Sequence, residues 1–82
     1  MEKTRRVNGF DFEWTSDGNG YSNEGYYSCR GEVMYDDEHD QMCEPALWDA
    51  AEKLETELIK EGYEAEANYS EKGWVDINVN KQ

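Results

Sequence analysis

The C-terminal stretch restricts the fold more than any other part of the chain. YEAEANYS (residues 63–70) and WVDINVN (residues 74–80) flank Glu71-Lys72-Gly73. A three-residue loop with glycine at its left-handed position is a hairpin connection. Closing that loop sets Tyr69 opposite Val75, Ala67 opposite Ile77 and Ala65 opposite Val79. On the other face it sets Glu66 opposite Asn78 and Asn68 opposite Asp76. All apolar pairs share one face, and a one-residue slip would scatter them over both. A hairpin with one greasy face needs a cover.

A helix upstream supplies it. Pro45 suits a first helical position and Gly62 the residue just past the end. Between them Leu47, Ala50, Ala51, Leu54 and Leu58 form an apolar stripe, flanked by Trp48 and Ile59. In the N-terminal half, residues 7–15 (VNGFDFEWT) alternate as one strand, with Phe10, Phe12 and Trp14 opposite Asp11 and Glu13. Residues 16–25 are turn-formers. Residues 26–35 (YYSCRGEVMY) read as a second strand, with Tyr27, Cys29, Val33 and Tyr35 inward and Arg30 and Glu32 outward. The expectation is one α+β domain over residues 1–82: a four-stranded antiparallel sheet in ββαββ order, with one helix packed on one face.

Composition then narrows the partners. Apolar residues make up only 37%, so three Trp, six Tyr and two Phe must build much of the core. Twenty acids against eight bases give a net charge of −12. Solubility asks for roughly 2–8 charges on a small domain, and the excess costs stability by self-repulsion. Such a chain is not expected to bind nucleic acid directly, which needs cationic side chains. An anionic membrane is disfavoured for the same reason. A basic protein surface is favoured. No apolar run reaches the roughly 20 residues of a membrane span and no signal segment is evident, so the expected location is cytoplasmic, with Cys29 and Cys43 reduced.

The ββαββ arrangement puts Asp11, Glu13, Glu32, Glu64, Glu66 and Asp76 on the face away from the helix, with Arg30 as a cation. Strand geometry spaces them by roughly 6.6–7 Å along a strand and about 4.8 Å across strands. To a basic groove, such a plane of carboxylates looks like nucleic-acid backbone. The bland alternative is a solvated strand face. Residues Asp36, Asp37, Glu38, Asp40 and Glu44 of the connector are a second candidate contact, and Glu52, Glu55, Glu57 and Glu61 of the helix a third. Trp74 and Tyr26 point away from the helix in this register. Trp74, beside Asp76, is a candidate anchor, since Trp and Tyr are enriched at binding hot spots.

Other motifs carry less. The spacing of Cys29, His39 and Cys43 fits no zinc pattern. Asp17-Gly18-Asn19-Gly20 starts like a calcium loop but has Tyr21 and Ser28 where ligands belong. Asn68-Tyr69-Ser70 is a glycosylation sequon on a strand. No nucleophile stands beside a base, and no glycine loop cradles phosphate. The expectation is a protein without catalytic residues, metal or cofactor, not an enzyme.

The acidic strand residues, the connector Asp36–Asp40 and the small size together resemble phage-encoded inhibitors of bacterial defence, the anti-CRISPR and anti-restriction proteins, several of which are DNA mimics. The resemblance is one of class and transfers no individual residue. It implies binding, as monomer or dimer, to the basic nucleic-acid-binding surface of a CRISPR effector or restriction enzyme in the host cytoplasm. An immunity or antitoxin protein for a basic toxin, and a non-inhibitory accessory subunit, are the alternatives.

Overall fold

Asn8 and Gly9 both take positive φ, 50° and 87°, the combination a two-residue type I′ hairpin turn requires. They split the stretch expected as one strand into β1 (Thr4–Val7) and β2 (Phe10–Ser16). Arg5 pairs with Phe12 and Val7 with Phe10, so the turn brings Val7 to the core face. The computed structural model describes residues 2–16, 25–34 and 42–81. The second strand ends earlier than expected. β3 (Gly25–Arg30) stops where Gly31 leaves the sheet, and β4 (Val33–Met34) instead pairs with β5 (Met42–Cys43) in a separate two-stranded ribbon. Gly31 is wedged: a Cβ there would lie 2.8 Å from Leu47 Cδ2, and its N–H donates to the Gly73 carbonyl at 3.0 Å.

Helix α1 (Pro45–Lys60) begins and ends where the sequence places it, with Gly62 at φ +101° just beyond. It leads to β6 (Tyr63–Tyr69), a tight connection at Glu71–Gly73 in which Lys72 and Gly73 both take positive φ, 55° and 85°, and β7 (Trp74–Lys81). The β6–β7 register is the expected one at every pair, from Ala65 opposite Val79 to Tyr69 opposite Val75. The main sheet therefore has five antiparallel strands in the order β1-β2-β3-β7-β6, one more than the ββαββ expectation. The addition is β1, built from the basic N-terminal residues.

The core lies between this sheet and α1. Leu47, Ala50, Ala51, Leu54 and Leu58 meet Val7, Phe12, Tyr27, Cys29, Val75, Ile77 and Val79, all buried. Burying each larger side chain is worth roughly 1.5–3 kcal/mol. Trp14 packs on Tyr27 with ring centroids 5.0 Å apart, and Trp48 of the helix stacks on Tyr69 at 4.4 Å. At the β6 edge the Ala67 N–H donates to Glu55 Oε2 at 2.7 Å. One exposed rung of the ladder is thereby occupied from within the chain.

Arg5 explains how β1 is held. Its guanidinium forks onto the Glu61 carboxylate at 2.7 and 2.6 Å and lies over the Tyr27 ring, 5.9 Å from its centroid. The Tyr27 hydroxyl donates to the Glu2 carbonyl at 2.7 Å. Glu61 is thus a structural anchor and not part of a free helix surface. Hydrogen bonds from Arg5 hold the Glu61 carboxyl below its ordinary range. A depressed folded-state pKa stabilises above the unfolded value near 4.3 and loses that contribution as pH falls through the folded one. Glu61→Gln is expected to cost about 0.5–1 kcal/mol at neutral pH, a value discounted for the exposed carboxylate. Urea unfolding across a pH series should show the gap between variant and parent closing in acid.

Candidate functional site

The face of the main sheet away from α1 has no cover among the described residues, and strand pairing dictates what it displays. One row runs across all five strands: Thr4, Glu13, Ser28, Asp76 and Asn68. A second holds Thr15, Tyr26, Asn78 and Glu66. Arg30 stands opposite Trp74, Arg6 opposite Asp11, and Glu64 opposite Asn80.

The acids form a line in this grid. From Glu64 to Glu66 is one two-residue step along β6. From Glu66 to Asp76 is a diagonal step to β7. Asp76 and Glu13 share a row, and Asp11 is one further step along β2. Sheet geometry sets these steps at roughly 7–10 Å. The five carboxylates therefore run in single file diagonally across the open face, from Glu64 on the edge strand β6 to Asp11 on β2, where Arg6 of the edge strand β1 stands outside it.

The register also keeps these acids apart. No carboxylate directly faces another across strands on this face: Glu13 lies between Thr4 and Ser28, Asp76 between Ser28 and Asn68, and Glu66 faces Asn78. Small neutral polar residues occupy the opposing positions, so the repulsion of directly paired like charges is avoided. Two cations accompany the file. Arg6 touches Asp11 at 3.2 Å with both side chains exposed, a pairing worth little in water. Arg30 turns its Nε to the Lys72 carbonyl at 3.4 Å.

Asp11, Glu13, Glu64, Glu66, Asp76 and Trp74 thus come together on the open face. Glu32 does not, because the chain has already left the sheet at Gly31. It is exposed beside β4, and its N–H donates to Glu44 Oε2 at 2.8 Å. Asp36, Asp37, Glu38 and Asp40 lie outside the described residues. Of the helix acids, Glu55 and Glu61 are engaged with Ala67 and Arg5, which leaves Glu52 exposed and Glu57 half-buried.

Sequence reasoning missed the concavity in the middle of the file. Tyr26, Ser28, Ser70, Trp74 and Asp76 line a shallow depression of about 310 Å³. It exists because Ser28 is a small residue between Tyr26 and Arg30 on β3, with the Trp74 ring close by on β7. That serine among bulky neighbours was the available signal. Asp76 is half-buried, and burial raises its carboxyl above the ordinary range, opposed by the hydrogen bond from Ser70. Trp74 remains 40% exposed. Among the described residues no group of three or more His, Cys, Asp and Glu side chains could hold a metal ion. No family model, curated protein or solved structure matches the chain.

Proposed function

We propose that this protein is an acidic inhibitor that occupies the basic nucleic-acid-binding surface of another protein, a CRISPR effector or restriction enzyme in the case of a phage-encoded chain. The observation that supports this is the diagonal file of Asp11, Glu13, Asp76, Glu66 and Glu64 on a stiff, helix-free sheet face. Charges at steps of roughly 7–10 Å along a line are of the order of phosphate separations along one nucleic-acid strand, and a sheet holds them without the entropy cost of ordering a loop. A cleft evolved to neutralise phosphates offers Lys and Arg at matching intervals. The net charge of −12 adds long-range attraction to such a cleft.

The test is capture from a bacterial lysate on the immobilised protein, at about 50 and 200 mM salt, with and without competing duplex DNA. The expected partner is retained at low salt, released at the higher salt and displaced by DNA. A partner retained under both salt conditions and indifferent to DNA would overturn the reading and favour an accessory subunit held by apolar contacts.

A further inference from the structure

We propose that the depression around Asp76 receives the guanidinium group of one arginine from the partner protein, seated against the rings of Trp74 and Tyr26. This rests on the acidic-docking reading, to which it adds one specific contact. Four features of the depression point to that ligand. Its carboxylate is half-buried on the sheet and has no ion-pair partner among the described residues. Its two aromatic rings offer negative π-faces, which attract cations within about 6 Å. Its remaining lining, Ser28 and Ser70, brings hydroxyl oxygens and no further charge. Finally, the chain's own nearest guanidinium, Arg30, is tethered to the Lys72 carbonyl and does not fill the space.

Arginine fits this set better than lysine. A guanidinium is planar, so it stacks on a ring while its edge forks onto a carboxylate. It is more weakly hydrated than an ammonium, so a partly desolvated site costs it less. Its five donors outnumber the two oxygens of Asp76, and Ser28 and the Tyr26 hydroxyl supply further acceptors. A nucleobase could also stack on these rings, but its phosphates would meet the file of acids on either side.

The site is tested on the isotope-labelled protein by NMR titration with three acetylated tripeptide amides: Gly-Arg-Gly, Gly-Lys-Gly and Gly-citrulline-Gly. Citrulline keeps the shape of arginine without its charge. The arginine peptide should produce saturable shifts at the Trp74 indole N–H and at the amides of Ser28 and Asp76. The lysine peptide should bind at least about threefold more weakly, and the citrulline peptide should cause no shift. Asp76→Asn should weaken arginine binding by about tenfold or more, with the dispersion of the remaining spectrum reporting an intact fold. Glu52→Gln, on the outer face of α1, should change nothing.

Lysine binding as tight as arginine, shifts spread evenly over Glu13, Glu64 and Glu66, or an unaffected Asp76→Asn would each overturn the proposal. None of these outcomes touches the DNA-displaceable capture, which tests the docking reading separately. Conversely, arginine-specific shifts together with DNA-insensitive capture would sustain the pocket and sink the docking reading.

Discussion

Gly73→Ala is expected to cost about 2–4 kcal/mol, a large part of the roughly 5–15 kcal/mol that holds a domain together. Two costs combine. Gly73 sits at φ +85°, where an L-residue costs roughly 1–2 kcal/mol. An added Cβ would also lie 2.8 Å from the Gly31 carbonyl oxygen and 3.3 Å from the Glu32 carbonyl carbon. Those are backbone atoms that no rotamer change can move aside. Relief requires separating the two segments, which breaks the bond from the Gly31 N–H to the Gly73 carbonyl and forfeits about 1 kcal/mol more. Gly9→Ala is the control. Gly9 has nearly the same φ, +87°, and nothing within 4 Å of its would-be Cβ. Urea unfolding of both variants isolates the crossing, because the dihedral cost is common to the two. Equal losses would show that the crossing is not tight. Since Trp74 follows Gly73 directly, loosening this point also releases one wall of the depression at Asp76.

The second large effect concerns binding. Glu64→Lys, Glu66→Lys and Asp76→Lys together should weaken association with a cationic polymer, such as an oligolysine, by about 100-fold, equivalent to about 2.7 kcal/mol. The comparison that matters is a second triple, Glu32→Lys, Asp49→Lys and Glu52→Lys. It changes the net charge by the same amount, at exposed positions off the file. If net charge alone governed association, the two triples would behave alike. If the file presents the charge, the first should lose far more affinity and flatten the salt dependence, while the second retains most of both. Circular dichroism must show both variants folded. Cations introduced at the solvent-facing positions of Glu64 and Glu66 leave the apolar pairing of β6 with β7 untouched.

Different parts of the molecule were legible to different degrees. The β6–β7 hairpin was readable pair by pair, because glycine in a three-residue loop and strict alternation on both arms agree on one register. Helix α1 was readable from Pro45 and Gly62. The N-terminal hairpin was hidden by its own turn. Asn8-Gly9 lies inside a stretch that alternates well enough to pass for one strand, and Arg5, on the core face, does not look like a core residue. It is held there by pairing with Glu61, at a separation of 56 positions, which no local pattern reveals. The end of β3 at Gly31 was likewise set by a distant contact, the approach of Gly73. On the open face the membership of Asp11, Glu13, Glu64, Glu66, Asp76 and Trp74 followed from alternation alone. Their arrangement did not, because it depends on β3 pairing with β7, a long-range choice between two hairpins.

That pairing has a geometric consequence. β3 and β6 are both antiparallel to β7 and are therefore parallel to each other, joined through α1. Such crossovers are right-handed, and each strand is rotated by roughly −20 to −25° from its neighbour. A sheet twisted in this way is a saddle, with one arched and one hollow diagonal on each side. On the side away from α1, the arch follows the diagonal from Asp11 to Glu64, and the line joining Tyr26 to Trp74 dips across it. The carboxylates follow the arched diagonal, so a trough-shaped surface can reach all five of them while a flat one cannot.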